Sequence, residues 1–276
     1  MKLRSLLLAS AAVIVAAPAF AADLDYVPPA GDPVYTPAPM SVVGHLELGL
    51  GLTSIDTPAG DDDFGLFNGF GRVNIPFGGT WNLEVETGGV AVFEDGDSVS
   101  GIGAYGHLWT GFGGGRVGAL AGVEYSTGGF ETTGVVGLEG EVDLNALTLG
   151  AQGTYRFGDD DFEAWGLRGW ADYYFTPNTK VGLDLAWSNF DFDFGDSDVW
   201  SVGLGAEHRF DNTPFSAFAD VAYTDYDHGA DGWSGMIGAR IFLDNPGTTL
   251  QDHDRQVPFD VKPVGLFGGG FGSAIE

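Results

Sequence analysis

Apolar and polar residues alternate one for one along most of this chain. Leu46, Leu48, Leu50 and Leu52 interleave with His45, Glu47, Gly49 and Gly51, and Val117, Ala119, Ala121, Val123 and Tyr125 interleave with Arg116, Gly118, Gly122 and Glu124. Val181, Leu183, Leu185 and Trp187 do the same against Gly182, Asp184, Ala186 and Ser188. A period of two puts successive side chains on opposite faces of an extended strand, which helices cannot do. Beyond the N-terminus no apolar run approaches the roughly 18–20 residues of a membrane-spanning helix. Whatever this chain builds, it builds from strands.

The connectors come in two alternating kinds. Pro76-Phe77-Gly78-Gly79, Gly113-Gly114-Gly115, Asp143-Leu144-Asn145, Thr176-Pro177-Asn178-Thr179 and Asp211-Asn212-Thr213-Pro214 have turn chemistry. Between them lie acidic stretches: Asp61-Asp62-Asp63, Glu94-Asp95-Gly96-Asp97, Asp159-Asp160-Asp161, Asp191 through Asp198 and Asp225 through Asp231. Segments after the short turns begin near residues 80, 115, 145, 179 and 214, a spacing of one hairpin. The count is about twelve strands, with ten or fourteen also compatible. An even number returns both ends to one side.

Two architectures fit alternating strands: a soluble pair of stacked sheets and a membrane barrel. In the first the apolar face is a core; in the second it faces lipid. Arg72, Arg116, Arg156, Arg168, Arg209 and Arg240 all sit opposite the apolar residues of their strands. An Arg facing lipid at mid-depth costs about 2–4 kcal/mol, so a barrel would exclude it from that face. Aromatics such as Trp81, Tyr125, Phe157, Tyr173, Trp187, Trp200, Phe215 and Trp233 cluster near segment ends, where amphipathic rings favour headgroups. The expected fold is therefore all-β, a closed antiparallel transmembrane β-barrel with short periplasmic turns and acidic outer loops, over residues 42–244. Its lumen is expected to be lined by Glu47, Arg72, Glu84, Glu86, Arg116, Glu124, Glu139, Arg156, Arg168, Asp184, Glu207, Asp220 and Arg240. The second strand fits least well, because Leu66 and Phe70 share the face of Arg72.

The ends follow other rules. Lys2 and Arg4, an apolar run from Leu6 to Ala17 and Ala19-Phe20-Ala21 describe a secretory signal peptide over residues 1–21. Residues 22–41, with Pro28, Pro29, Pro33, Pro37 and Pro39, are expected to form a periplasmic linker. The tail, residues 245–276, combines Pro246, Pro258 and Pro263 with the Gly-rich run around Phe267 and Phe271. It fits either a plug in the lumen or a disordered, loosely docked extension, and the second is favoured.

Composition narrows the functions. The chain has no Cys, so neither disulfides nor Cys-ligated metal sites exist. A formal net charge of −28 argues against a nucleic-acid partner. Neither G-x-S-x-G, nor a phosphate loop, nor HExxH spacing is present. No enzyme activity and no cofactor is expected.

Tyr173-Tyr174-Phe175-Thr176-Pro177-Asn178-Thr179-Lys180-Val181-Gly182, the closing Gly235-Met236-Ile237-Gly238-Ala239-Arg240-Ile241-Phe242-Leu243, the signal peptide and the leader Val27-Pro28-Pro29 resemble small outer-membrane β-barrel proteins of Gram-negative bacteria, of the porin-family or opacity-type group. The resemblance implies location in the cell outer membrane and insertion by the barrel-assembly machinery, with Phe242 as the terminal-strand aromatic. Opacity-type barrels have eight strands and end on Phe, whereas this chain has more strands and continues to Glu276.

Three functions remain in view. The first is porin-like passage of small solutes, preferably cationic, since carboxylates outnumber arginines on the inward face and crowd the loops. The second is a plugged structural or surface-interaction barrel, whose acidic loops bind divalent cations or lipopolysaccharide. The third and remotest is an outer-membrane hydrolase using Asp227 and His228.

Overall fold

The computed structural model describes residues 42–261, apart from 59, 95–96, 128–131, 159–161 and 193–194. The expected signal peptide and linker, and the Gly-rich run after residue 261, lie outside the described residues. Twelve strands follow one another: β1 (Val43–Thr57), β2 (Gly60–Phe77), β3 (Trp81–Glu94), β4 (Asp97–Phe112), β5 (Gly115–Ser126), β6 (Thr132–Leu144), β7 (Leu147–Gly158), β8 (Glu163–Thr176), β9 (Thr179–Phe192), β10 (Gly195–Arg209), β11 (Phe215–Tyr226) and β12 (Ala230–Phe242). Each pairs antiparallel with its neighbours in sequence, and β1 pairs with β12 from His45↔Phe242 to Asp56↔Asp231, so the sheet closes on itself. Closure leaves no unpaired edge, which lipid would not tolerate.

The short turns lie at one rim. Gly78 (φ 60°), Gly79 (φ 85°) and Asn145 (φ 56°) supply the left-handed backbone such turns need. At the opposite rim the acidic stretch Asp61-Asp62-Asp63, expected as a connector, is part of β2 and pairs with Asp56, Ile55 and Ser54 of β1. The strands run from 12 to 18 residues, beyond the roughly 9–11 needed to cross a bilayer.

The outer surface is an apolar belt between two aromatic girdles. Leu50, Val123, Leu138, Leu167 and Ile237 are each more than half exposed in the middle of their strands. Phe77, Trp81, Phe112, Phe175, Phe210 and Phe215 ring the short-turn rim, and Phe93, Phe157, Trp165, Trp200 and Trp233 ring the other. Such a belt is unfavourable in water and favourable in hydrocarbon, so the solvent of this face is lipid. All six arginines singled out by parity point inward: Arg116, Arg156 and Arg209 are buried, and Arg72, Arg168 and Arg240 are nearly so.

The interior is not uniformly polar, which departs from expectation. Towards the acidic rim, Ile55, Phe64, Leu66, Val90 and Val92 form a buried cluster joined by Phe70 and Met236, and Phe162, Ala164, Phe190 and Val199 form a second. This explains why Leu66 and Phe70 share the face of Arg72. The strands overrun the bilayer there, and their inner faces pack together as in a soluble protein.

The tail departs further. Its first part, to Val261, is not a loose extension but turns back into the barrel from the short-turn rim. It carries one short helix, α1 (Leu250–Asp254), capped by the Thr249 hydroxyl accepting from the Asp252 N–H. Leu250, His253 and Phe259 are fully buried, and Val257 and Val261 nearly so.

Candidate functional site

The lumen has two unlike walls, and the difference starts with side-chain size. From β3 to β8 the inward positions carry large groups. Glu84 is fully buried beside His107, its partner in the β3–β4 register, and among the described residues neither of its oxygens has a hydrogen-bond partner. His107 Nδ1 lies 2.9 Å from Glu139, which also accepts from Gln152 at 3.1 Å. Glu124 accepts from Tyr105 at 2.7 Å and pairs with Arg156 at 3.2 Å. Arg116 is held between Glu141 and Asp143. From β9 to β12 the inward face includes Gly182, Ser201, Gly203, Gly205, Ala222 and Ser234, which leave space.

The tail lies against the crowded wall. Phe259 stacks on His107 with ring centroids 6.5 Å apart and meets Trp109 edge-on at 6.3 Å. Asp260 is gripped from both sides of the barrel: Arg168 on β8 reaches it at 2.5 Å and Arg72 on β2 at 3.7 Å. Its carbonyl also accepts from Gln152 and Arg168, both at 3.1 Å. The Val261 N–H donates to Glu86 at 3.3 Å, while its side chain joins Tyr105, Leu120 and Val135. Each arginine keeps a strand carboxylate as well, Arg72 with Glu86 at 3.1 Å and Arg168 with Asp184 at 2.7 Å.

Nearer the short-turn rim a second set of contacts fixes the segment. His45 Nδ1 lies 2.9 Å from His253 Nε2, and His253 Nδ1 lies 2.6 Å from Asp244. Asp244 accepts from Arg209 at 2.7 Å, and Arg209 sits 4.0 Å over the Phe242 ring. Asp254 accepts from Tyr174 and Lys180, each at 2.8 Å. Phe242, the aromatic expected to close the last strand, therefore turns inward to pack on His253 rather than joining the girdle.

Burial works against charge on Asp244, yet hydrogen bonds from His253 and Arg209 hold its carboxyl below the ordinary range. Burial opposes Asp254 likewise, and Lys180, then Arg240, outweigh it. A carboxyl whose folded value is depressed contributes above its unfolded value and loses that contribution as pH falls through the folded one. Acidification through this range is thus expected to loosen α1. Hydrogen exchange at the Leu250 and His253 amides should accelerate there before exchange in the strands; simultaneous acceleration would show that the tail has no separate acid response.

Between the tail and the open wall remains a cavity of about 290 Å³. Its lining runs from Thr148 and Arg255 near the short turns to Leu66 and Thr224 towards the acidic rim. Arg240 ties Glu47 at 2.7 Å to Glu207 at 2.8 Å on its border. Trp170 borders it too, with Arg168 5.0 Å above its ring. The indole lies across Gly150, where a Cβ would meet it at 2.0 Å, so only glycine permits this placement. Asp184 and Asp220 complete the carboxylates along this wall.

Of the residues expected to line the lumen, Glu47, Arg72, Glu86, Arg168, Asp184, Glu207, Asp220 and Arg240 border the cavity, Glu84, Arg116, Glu139 and Arg156 are buried, and Glu124 pairs with Arg156. Parity did not single out the tail, Lys180, His45 or Trp170 as parts of the site. One signal for the tail was present: Val257, Phe259 and Val261 continue the period of two past the last strand. Among the described residues no group of three His, Cys, Asp or Glu side chains forms a metal site. The Asp227 carboxylate accepts from the Asp198 N–H at 2.7 Å, and the His228 side chain lies outside the described residues.

No family model and no curated protein matches this chain. In solved structures its fold is similar to that of the NanC porin, at a TM-score of 0.53 and 12% identity over 71% of this chain and 98% of that one. The KdgM porin in complex with disordered oligogalacturonate follows at 0.48 and 10%, over 71% and 98%. OmpT from the outer membrane of Vibrio cholerae scores 0.43 at 12%, over 74% and 97%. At these identities the likeness is one of fold: a small porin-type β-barrel.

Proposed function

We propose that the protein is an outer-membrane channel for small solutes, passing cations in preference to anions, with its C-terminal segment narrowing the lumen. The observation that carries this reading is the cavity of about 290 Å³ running beside the tail along the small-residue wall. That volume suits a small hydrated solute rather than a free aqueous pore, as expected for a strand number between filled eight-stranded and open sixteen-stranded barrels. Carboxylates outnumber the basic groups on the cavity's border, and the acidic connections at one rim concentrate cations and repel anions. Those connections face outward, and the short turns, with the tail's entry, face the periplasm.

Full-length protein in planar bilayers is expected to give small steps whose reversal potential in a potassium chloride gradient indicates cation preference. Anion preference would defeat the selectivity, and the absence of steps would defeat the channel.

A second reading has its own observation. The grip of Arg72 and Arg168 on Asp260 crosses the barrel, and a lumen tied this way is a strut. The protein would then be a plugged surface barrel, meeting lipopolysaccharide at its acidic loops through bridging cations. Silence in the bilayer together with cation-dependent lipopolysaccharide binding is the result that favours it.

A further inference from the structure

The barrel closes without the tail. Its twelve strands close on one another, and among the described residues the tail adds no strand to the sheet. The tail's described residues are instead received side chain by side chain, in pockets of the barrel wall. Leu250 enters a pocket of Tyr174 and Phe242, and its N–H donates to the Asn178 side chain at 3.0 Å. Phe259 fills the aromatic pocket of His107 and Trp109, and Asp260 occupies the grip of Arg168 and Arg72. Val261 is received by apolar side chains, with Glu86 accepting from its N–H. An aromatic pocket, a pair of guanidinium groups and an apolar pocket in succession read three consecutive side chains.

We propose that the lumen wall from β2 to β8 is a peptide-recognition site, and that the chain's own C-terminal segment is its tethered, exchangeable occupant. The partner class is an extended peptide bearing an aromatic, an acidic and an aliphatic residue in that order. Successive pockets for neighbouring side chains give the specificity, and the guanidinium pair gives a fixed polarity. Exchange of the segment changes how much of the lumen is filled. This exchange rests on the barrel and its docked tail and goes beyond the channel reading, which needs only the cavity.

Tethering sets the conditions for the test. A short link from Phe242 to Leu250 keeps the segment at an effective concentration of about millimolar or above, so a free peptide at micromolar concentration does not compete with it. Full-length protein carrying Phe259→Ala and Asp260→Ala loses that advantage. A fluorescent peptide copying Asn245–Val261 is expected to bind this variant in micelles at micromolar concentration and leave the unaltered protein unoccupied. A peptide carrying Asp260→Ala should bind at least about tenfold more weakly, having lost the charge-assisted bond to Arg168 and the longer ion pair with Arg72. Failure of the variant to bind, with the barrel's circular dichroism intact, overturns the proposal.

A second measurement does not depend on that variant. The chain has no native Cys, so a spin label at Gln256→Cys reports on the segment alone. Unlabelled peptide titrated to about tenfold above the segment's own effective concentration should convert the immobilised spectrum to a mobile one; a spectrum unchanged there overturns the exchange. Conductance recorded on the same samples separates the two readings. Steps without peptide exchange leave the channel and remove the recognition site, whereas exchange in a silent barrel does the reverse.

Discussion

Leu138→Arg is expected to destabilise the barrel in lipid by about 2–4 kcal/mol, the cost of an arginine facing hydrocarbon near mid-depth. Leu138 is 71% exposed at the centre of β6, among side chains that have no protein to pack against. Ser201→Arg introduces the same group, but into the cavity beside the small-residue wall, and should change stability by less than about 1 kcal/mol. Reversible urea unfolding in lipid vesicles measures both. Equal effects would mean that the two faces do not differ in solvent, and the barrel's orientation towards lipid would fall with that result.

The second large effect belongs to Arg240. Its guanidinium holds Glu47 and Glu207 together from within the lumen, at 2.7 and 2.8 Å. Arg240→Ala leaves both carboxylates deprived of their shared counter-charge in a largely desolvated place, at a cost of about 3–5 kcal/mol. Lys180, 3.9 Å from Glu207, is too far to replace it fully. Removing all three charges by Arg240→Met, Glu47→Leu and Glu207→Leu should recover much of that loss, since buried ion groups replaced by apolar ones of similar volume are often nearly neutral. Recovery stays incomplete, because the Ser216 hydroxyl and the Asn68 amide donate to these carboxylates. The same unfolding assay decides: a neutral Arg240→Ala would show that water already screens the cluster.

Much of the barrel was legible because its determinants are local. Parity along one strand assigns each side chain to lipid or lumen without knowledge of any partner. Hence Arg72, Glu84, Arg156 and Arg240 were assigned to the lumen from sequence. Turn residues are local too: Asn145 and Gly78 marked hairpin ends, and the short-turn strands begin at or within two residues of the expected positions. Two features were not local. The apolar clusters near the acidic rim depend on strands extending past the bilayer, and alternation carries no mark of where lipid stops. The docking of the tail rests on contacts such as Arg168 with Asp260, between residues far apart in the chain and both polar. Proline and glycine in that segment pointed to a loose chain, while the specific charges that hold it have no signature in hydropathy.

The pockets that receive the tail draw on opposite parts of the sheet. His45 belongs to β1, Tyr174 to β8, Arg209 to β10 and Phe242 to β12, while Arg72 and Arg168 stand across the barrel from one another. His45 meets Phe242 and His253 only once the first and last strands have paired, and Arg72 and Arg168 face one another only in the closed barrel. Seating of the C-terminal segment is therefore a closing step of biogenesis, available only to a molecule whose seam is sealed. An unsealed intermediate is left with that segment displaced, accessible to the proteolytic surveillance of its compartment.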